Sequence, residues 1–179
     1  MARLIAVLKV RVVVALACMC ATLLACATIS PDRGVDIQSV IREVESRPLT
    51  FSDYPQPGQT YLSFSQAHGF QVTYIASRNL SWLWYPGNAT ALQGQYKLDV
   101  IRGLNAICWR YASNTRNPVL NTSGGSFACQ ELDLSRKSIV ARLRGDPFRL
   151  ASGRVLYRLE RCSAPTKFQF DRTQFRCNG

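Results

Sequence analysis

The sequence predicts a mainly β domain: a small antiparallel meander, barrel- or sandwich-like, with a short N-terminal helix and two disulfides. Three observations predict this fold class. Short runs of alternating or aromatic residues recur between positions 60 and 134. Turn-forming Gly, Pro and Asn residues separate these runs. An even set of four cysteines lies in the second half of the chain: Cys108, Cys129, Cys162 and Cys177.

The strand segments follow one another at short intervals. They are residues 61–64, 70–75, 80–85, 94–100, 106–111 and 127–134. Between the last two lies a loop rich in Asn, Ser, Thr and Gly, residues 112–125. Strands of this length and spacing favour an antiparallel meander.

Two segments flank this series. The segment that precedes it has apolar residues at the spacing of one helical face, Ile37, Val40, Ile41 and Val44, and predicts a short helix that ends before Pro48. The segment that follows it, residues 154–161, predicts a strand with Val155, Tyr157 and Leu159 on one face and Arg154, Arg158 and Glu160 on the other. Residues 134–143 fit either a short helix or a strand.

The four cysteines allow three disulfide connectivities. Cys108–Cys129 with Cys162–Cys177 is the simplest, because each bridge closes a local loop of about 15–21 residues, worth about 3 kcal/mol. Zinc is the alternative, but the chain has no CxxC pair and its single histidine, His68, lies far from all four cysteines. We therefore expect no metal site.

The first 25 residues have the three parts of a secretory signal. Arg3, Lys9 and Arg11 are followed by an apolar run without charge, and small residues end it. The end of the run, Leu23-Leu24-Ala25-Cys26, resembles the lipobox of bacterial lipoproteins. Cys18 and Cys20 lie in the same run but are not preceded by the Leu-x-Ala pattern. The resemblance implies cleavage before Cys26 and lipid on its thiol. The alternative is an uncleaved transmembrane anchor over residues 12–29.

The resemblance also bears on location and domain organisation. Ala27, rather than Asp, follows the cysteine, which in a two-membrane envelope implies delivery to the outer membrane, facing the periplasm. The predicted organisation is a signal peptide (1–25), a lipid-anchored tether with a short helix (26–58) and a single β-rich domain (59–179).

The net charge of +11 is unevenly placed. Residues 27–135 hold equal numbers of basic and acidic side chains, whereas residues 136–179 hold eleven basic against three acidic, and nine of the eleven are Arg. Next to a cell envelope this favours contact with anionic lipid or lipopolysaccharide, with Arg154, Arg158 and Arg161 as candidate anion-binding residues. An ordinary solvated basic surface is the alternative. Nucleic acid is not expected as a partner outside the cell, and a protein partner stays open.

The sequence offers little for catalysis. It has no G-x-S-x-G elbow and no phosphate-cradling Gly-rich loop, and any histidine base rests on His68, at a predicted turn. Glu131 and Asp133 lie two residues apart and would share one face of a strand. We expect neither an enzyme nor a cofactor. The alternative is a periplasmic hydrolase of cell-wall glycan with Glu131, Asp133 and His68 as its candidates.

Aromatic side chains cluster in the predicted strands: Trp82, Trp84, Tyr85, Tyr96, Trp109 and Tyr111. They could form a platform for sugar or peptide, but filling a small β core is the better interpretation.

Residues 60–134 also contain Trp84-Tyr85-Pro86-Gly87-Asn88, Ile107-Cys108-Trp109-Arg110-Tyr111 and Gly124-Gly125-x-Phe127-x-Cys129. These motifs resemble those of small secreted proteins of Gram-negative bacteria, a group without an assigned activity. The sequence thus predicts a lipid-anchored envelope protein with a non-catalytic binding or structural role.

Overall fold

The structure, a computed structural model, describes residues 36–177. It begins with helix α1 (Ile37–Glu45), where the Asp36 carboxylate accepts the Gln38 N–H at 3.0 Å and so caps the helix. Val40 and Val44 form its buried side. The predicted N-terminal helix is confirmed.

A seven-stranded antiparallel sheet forms the body of the domain. In chain order the strands are β1 (Gln59–Ser65), β2 (Gly69–Ile75), β3 (Leu80–Trp84), β4 (Leu92–Ile101), β5 (Leu104–Tyr111), β8 (Ala128–Glu131) and β9 (Ile139–Arg144). Two short strands, β6 (Arg116–Asn117) and β7 (Thr122–Ser123), pair within the predicted loop. The order across the sheet is β8-β5-β4-β3-β2-β1-β9, so the meander prediction is confirmed.

The two edge strands, β8 and β9, are joined by a single short helix, α2 (Leu132–Ser138). Its seven residues span about 10 Å. The edges of a flat sheet of seven strands would lie nearly 30 Å apart at about 4.8 Å per strand spacing. The sheet therefore curls into a half-barrel, and α2 contacts β1, β5 and β9 across the opening.

The inner face of the curled sheet is filled mainly by aromatic rings. Its buried cluster is Tyr54, Tyr61, Ile75, Tyr96, Ile107, Leu132 and Ile139, and Leu132 comes from α2. Tyr54 and Tyr61 meet edge to face at 4.8 Å. Burial raises the pKa of the Tyr54 hydroxyl well above its ordinary value, so the ring stays neutral.

The outer face carries the second buried cluster, which includes Leu62, Val72 and Trp84 from the sheet. Its cover is the segment 145–177, here called the C-terminal layer, which contributes Phe148, Leu150, Leu159 and Phe168. Apart from two 3₁₀ turns, Leu150–Ser152 and Arg172–Gln174, the layer has no regular secondary structure. A sheet that is buried on both faces gives a small domain two cores.

The predicted strand at 154–161 is wrong. The structure has only one isolated bridge there, between Thr90 and Arg154. The main chain instead bonds to two separate parts of the sheet: the Gly87 N–H, in the turn after β3, donates to the Leu159 carbonyl, and the Phe70 N–H, at the start of β2, donates to the Arg161 carbonyl. The segment therefore crosses the outer face of the sheet instead of extending one edge.

Both disulfides have the simplest connectivity. Cys108 and Cys129 face each other on paired strands β5 and β8, and Cys162–Cys177 ties the two ends of the last loop of the C-terminal layer. No helix among residues 36–177 is long and apolar enough to span a bilayer. The predicted signal segment and Cys26 lie outside the described residues.

We expect Cys162→Ala/Cys177→Ala to lower the free energy of unfolding by about 3 kcal/mol, because the unfolded chain regains the entropy of a closed loop of 15 residues. Urea denaturation followed by far-UV circular dichroism measures this. The native sheet signal should persist, since all its strands end by Arg144. An unchanged denaturation midpoint would contradict a stabilising role for this bridge.

Candidate anion-binding cleft

A cleft of about 470 Å³ opens where the C-terminal layer crosses the β1–β2 turn. Its polar lining consists of His68, Tyr85, Arg158, Glu160 and Arg161. Ala67, Pro86, Pro118, Val119 and Leu159 provide the apolar lining. Two of the three arginines predicted to bind anions, Arg158 and Arg161, thus lie at one site together with the single histidine.

Close main-chain packing holds Arg161 at this cleft. Its guanidinium donates to the Gln66 carbonyl, and its own carbonyl accepts the Phe70 N–H at 2.9 Å. Gly69 lies between these contacts with φ +72°, and a Cβ there would lie 2.1 Å from the Arg161 carbonyl oxygen. Only glycine fits this position, so the β1–β2 turn and residue 161 form one packed unit. Arg161 is half-buried.

Arg158 and Arg154 lie on the exposed side of the layer. The Arg158 Nε donates to the Gly87 carbonyl at 2.8 Å, which sets its position at the rim of the cleft. Arg154 has an exposed side chain and lies outside the cleft lining. The structure thus brings Arg158 and Arg161 together and places Arg154 elsewhere on the same layer.

His68 has a defined partner inside the cleft. Its Nδ1 lies 3.1 Å from the Tyr85 hydroxyl, and the two rings meet edge to face. Burial, and secondly the positive charge of Arg161, lower the pKa of His68 below its ordinary value. Burial raises the pKa of Tyr85. Both rings are therefore neutral at pH 7, and the charged groups of the lining are Arg158, Glu160 and Arg161.

The two aspartates of the C-terminal layer act as caps of its 3₁₀ turns. The Asp146 carboxylate accepts the N–H groups of Leu150 and Ala151 at 2.8 and 2.9 Å. Asp171 accepts the hydroxyl and the N–H of Thr173, and these bonds lower its pKa. Both carboxylates bond within the layer itself, and with all its charges counted the layer has a net charge of +4.

The candidate residues for a hydrolase lie in different settings. Glu131 ends β8, and Asp133 lies in the first turn of α2, 2.9 Å from the guanidinium of Arg136. The expectation that the two carboxylates share a strand face is wrong, because the chain turns into a helix between them. His68 is bonded to Tyr85.

The aromatic residues are divided between the two faces of the sheet. Trp82 and Trp84 both belong to the outer cluster, where Trp84 is fully buried. Tyr96 and Trp109 pack against each other in the inner cluster, with ring centroids 5.5 Å apart. These four rings fill the core, as the sequence favoured. Tyr85 instead pairs with His68, which the sequence did not indicate.

A second cleft, of about 290 Å³, lies between α1 and the inner face. Val40 and Val44 of α1 form one wall, and Ser63 and Gln71 of the sheet form a polar floor. It shares His68 with the first cleft. Within residues 36–177 no three His, Cys, Asp or Glu side chains are grouped so as to hold a metal ion.

Comparison with known proteins gives no relative. No protein-family model, curated protein or solved structure matches the chain. The candidate site is therefore defined by its own geometry.

The lowered pKa of His68 predicts a loss of stability in acid. The unfolded chain binds a proton at the ordinary pKa of about 6.5, while the folded chain resists it until a lower pH. Stability should therefore be complete above pH 6.5 and fall as the pH drops below it. His68→Asn, which can keep a bond to Tyr85, should lose less stability than the wild type between pH 7 and pH 5. Urea unfolding across this range measures both, and parallel pH profiles would contradict the prediction.

Proposed function

We propose that this chain is a lipid-anchored envelope lipoprotein with a non-catalytic binding role, held to the membrane by lipid on Cys26. The C-terminal layer contacts anionic envelope components, either phospholipid or lipopolysaccharide. The observation that carries the proposal is the charge of this layer. Residues 145–177 hold seven basic side chains against three acidic ones, and two of the three acids are engaged in capping.

The cleft adds a chemical preference to this charge. Arg158 and Arg161 stand at its polar side, and proline, valine and leucine side chains line the remainder. Guanidinium groups suit phosphate oxygens, because their planar donors can bind two oxygens at once. An apolar wall beside them suits the hydrocarbon attached to a lipid phosphate. The cleft thus favours an amphiphilic anion over a free inorganic ion.

Lipid attachment is tested by two substitutions in the same apolar run. Expressed in a bacterium with two membranes, the Cys26→Ala protein should incorporate no labelled palmitate and keep residues 1–25, because the thiol that accepts the lipid is gone. Cys18→Ala/Cys20→Ala is the matched control and should be processed like the wild type. Intact-mass measurement of the purified proteins gives the result. Lipid on the Cys26→Ala protein would refute the anchor.

Surface binding is tested by co-sedimentation of residues 27–179 with vesicles. Anionic phosphatidylglycerol vesicles and vesicles that contain lipopolysaccharide are compared with neutral phosphatidylcholine, at low and high salt. Arg154→Gln/Arg158→Gln should weaken binding to the anionic vesicles about ten- to thirtyfold at low salt, since each cation near such a surface contributes about 1 kcal/mol. Arg161 is left intact because its guanidinium holds the β1–β2 turn.

The matched control is Arg42→Gln/Arg78→Gln, two exposed arginines outside the C-terminal layer, which lowers the net charge equally. Its effect should be several times smaller. Equal loss in the two double variants would show that net charge alone drives binding. Absence of binding at either salt concentration would overturn the surface role. The two anionic vesicle types distinguish phospholipid from lipopolysaccharide.

A further inference from the structure

The β4–β5 hairpin projects beyond its neighbours in the sheet. Pairing between β3 and β4 ends at Leu80 with Gln95, and pairing between β5 and β8 reaches only Ala106. Residues 97–105, here called the hairpin tip, have strand partners only within the β4–β5 hairpin itself. Arg102 and Gly103 form its turn with φ of 52° and 81°, the pattern of a tight two-residue hairpin connection.

The hairpin tip exposes four large aliphatic side chains to solvent. Their exposed fractions are 56% for Leu98, 63% for Val100, 40% for Ile101 and 57% for Leu104. Single exposed aliphatics are common, but four within seven residues form a patch of the kind that marks an interaction site.

The aliphatic side chains lie on both faces of the ribbon. Leu98 and Val100 are two residues apart and lie on one face of the ribbon. Ile101 and Leu104 are paired across the two strands and lie on the other face. A protein partner that docks on a flat ribbon covers one of its faces. A bilayer surrounds an inserted ribbon on both, so this arrangement favours lipid as the occupant.

The charges of the tip favour an anionic lipid surface. Asp99 is the tip's single carboxylate, and it lies 2.6 Å from the Lys97 ammonium and accepts the Val100 N–H at 2.8 Å. Because the charges of Lys97 and Asp99 offset each other, Arg102 at the apex gives the tip its net positive charge. An apical arginine can extend to lipid phosphates while the aliphatics beside it enter the hydrocarbon. Two copies of this chain joined tip to tip would bring two such cations together.

We propose that the hairpin tip inserts into the interface of an anionic bilayer, with Leu98, Val100, Ile101 and Leu104 among the acyl chains and Arg102 at the phosphates. The outer edges of the ribbon lack strand partners, so insertion is shallow, about 5–10 Å. The inference rests on the proposed function only in that lipid on Cys26 keeps the domain beside a membrane. It assigns insertion to the β4–β5 hairpin and surface charge to the C-terminal layer.

The test places a tryptophan at the tip of the full-length chain reconstituted into phosphatidylethanolamine–phosphatidylglycerol vesicles. Reconstitution through the apolar N-terminal segment holds the protein at the bilayer whether or not the arginines bind. Val100→Trp should shift emission to shorter wavelength and be quenched by lipids brominated near the headgroup. Leu49→Trp, at an exposed aliphatic outside the tip, should show neither effect. The three native tryptophans give the same background in both proteins.

A second comparison tests whether the aliphatic side chains drive insertion. In the Val100→Trp background, Leu98→Gln/Leu104→Gln should abolish the quenching. Leu49→Gln/Leu120→Gln makes the same two changes at similarly exposed leucines elsewhere and should retain it. Circular dichroism confirms that each variant keeps its sheet. Arg102→Glu should reduce the quenching in anionic vesicles, because the apex would then be repelled.

The outcomes separate this inference from the role of the C-terminal layer. Quenching at position 100 that survives Arg154→Gln/Arg158→Gln supports the hairpin independently of that layer. The opposite result is emission of the Val100→Trp protein at the same wavelength as the Leu49→Trp protein, in vesicles that do bind residues 27–179 in a salt-sensitive way. That result overturns insertion of the hairpin tip and leaves the proposed function standing. Quenching that is equal in both leucine double variants also overturns it.

Discussion

The short connection between the two edge strands governs the architecture of this domain. Helix α2 spans about 10 Å, so β8 and β9 must approach each other and the sheet must curl. Curling makes the inner face narrow, and a few large rings with Leu132 of α2 suffice to fill it. It also makes the outer face convex, and a convex face spreads its apolar side chains apart. Such a face needs a cover that bends with it.

The C-terminal layer meets that need because it is irregular. A β-strand needs another strand beside it for its hydrogen bonds, and a segment that lies across the outer face has none beside it. A chain without regular structure can bend over that face and place Leu159 and Phe168 in the spaces between the side chains of the sheet. The cost is that its main-chain groups have no ladder to bond them. Side chains bond to several carbonyls instead, as Lys167 does at Pro147, and the Cys162–Cys177 bridge limits the freedom of the unfolded segment.

The sheet could be predicted from the sequence because alternation and turn residues act locally, and the disulfides because each closes a short loop. The cover could not. Val155, Tyr157 and Leu159 alternate in the same way whether a segment joins a sheet edge or crosses its face, and the outcome depends on where the edges lie. The candidate cleft shows the same limit. His68 and Tyr85 are 17 residues apart and meet only because of the β2–β3 register and the path of the layer above them.

The irregular cover also explains why its cations are mostly arginine. The side chains of such a segment must donate hydrogen bonds to main-chain carbonyls that no strand pairs, and they must also present positive charge. Arginine has five N–H donors, so Arg158 can donate its Nε to the Gly87 carbonyl and still have four N–H groups on its terminal nitrogens. A lysine used in the same way would have two. Structural and surface roles therefore coexist in one side chain, and a basic segment that stabilises the fold retains the charge through which we propose it meets the envelope.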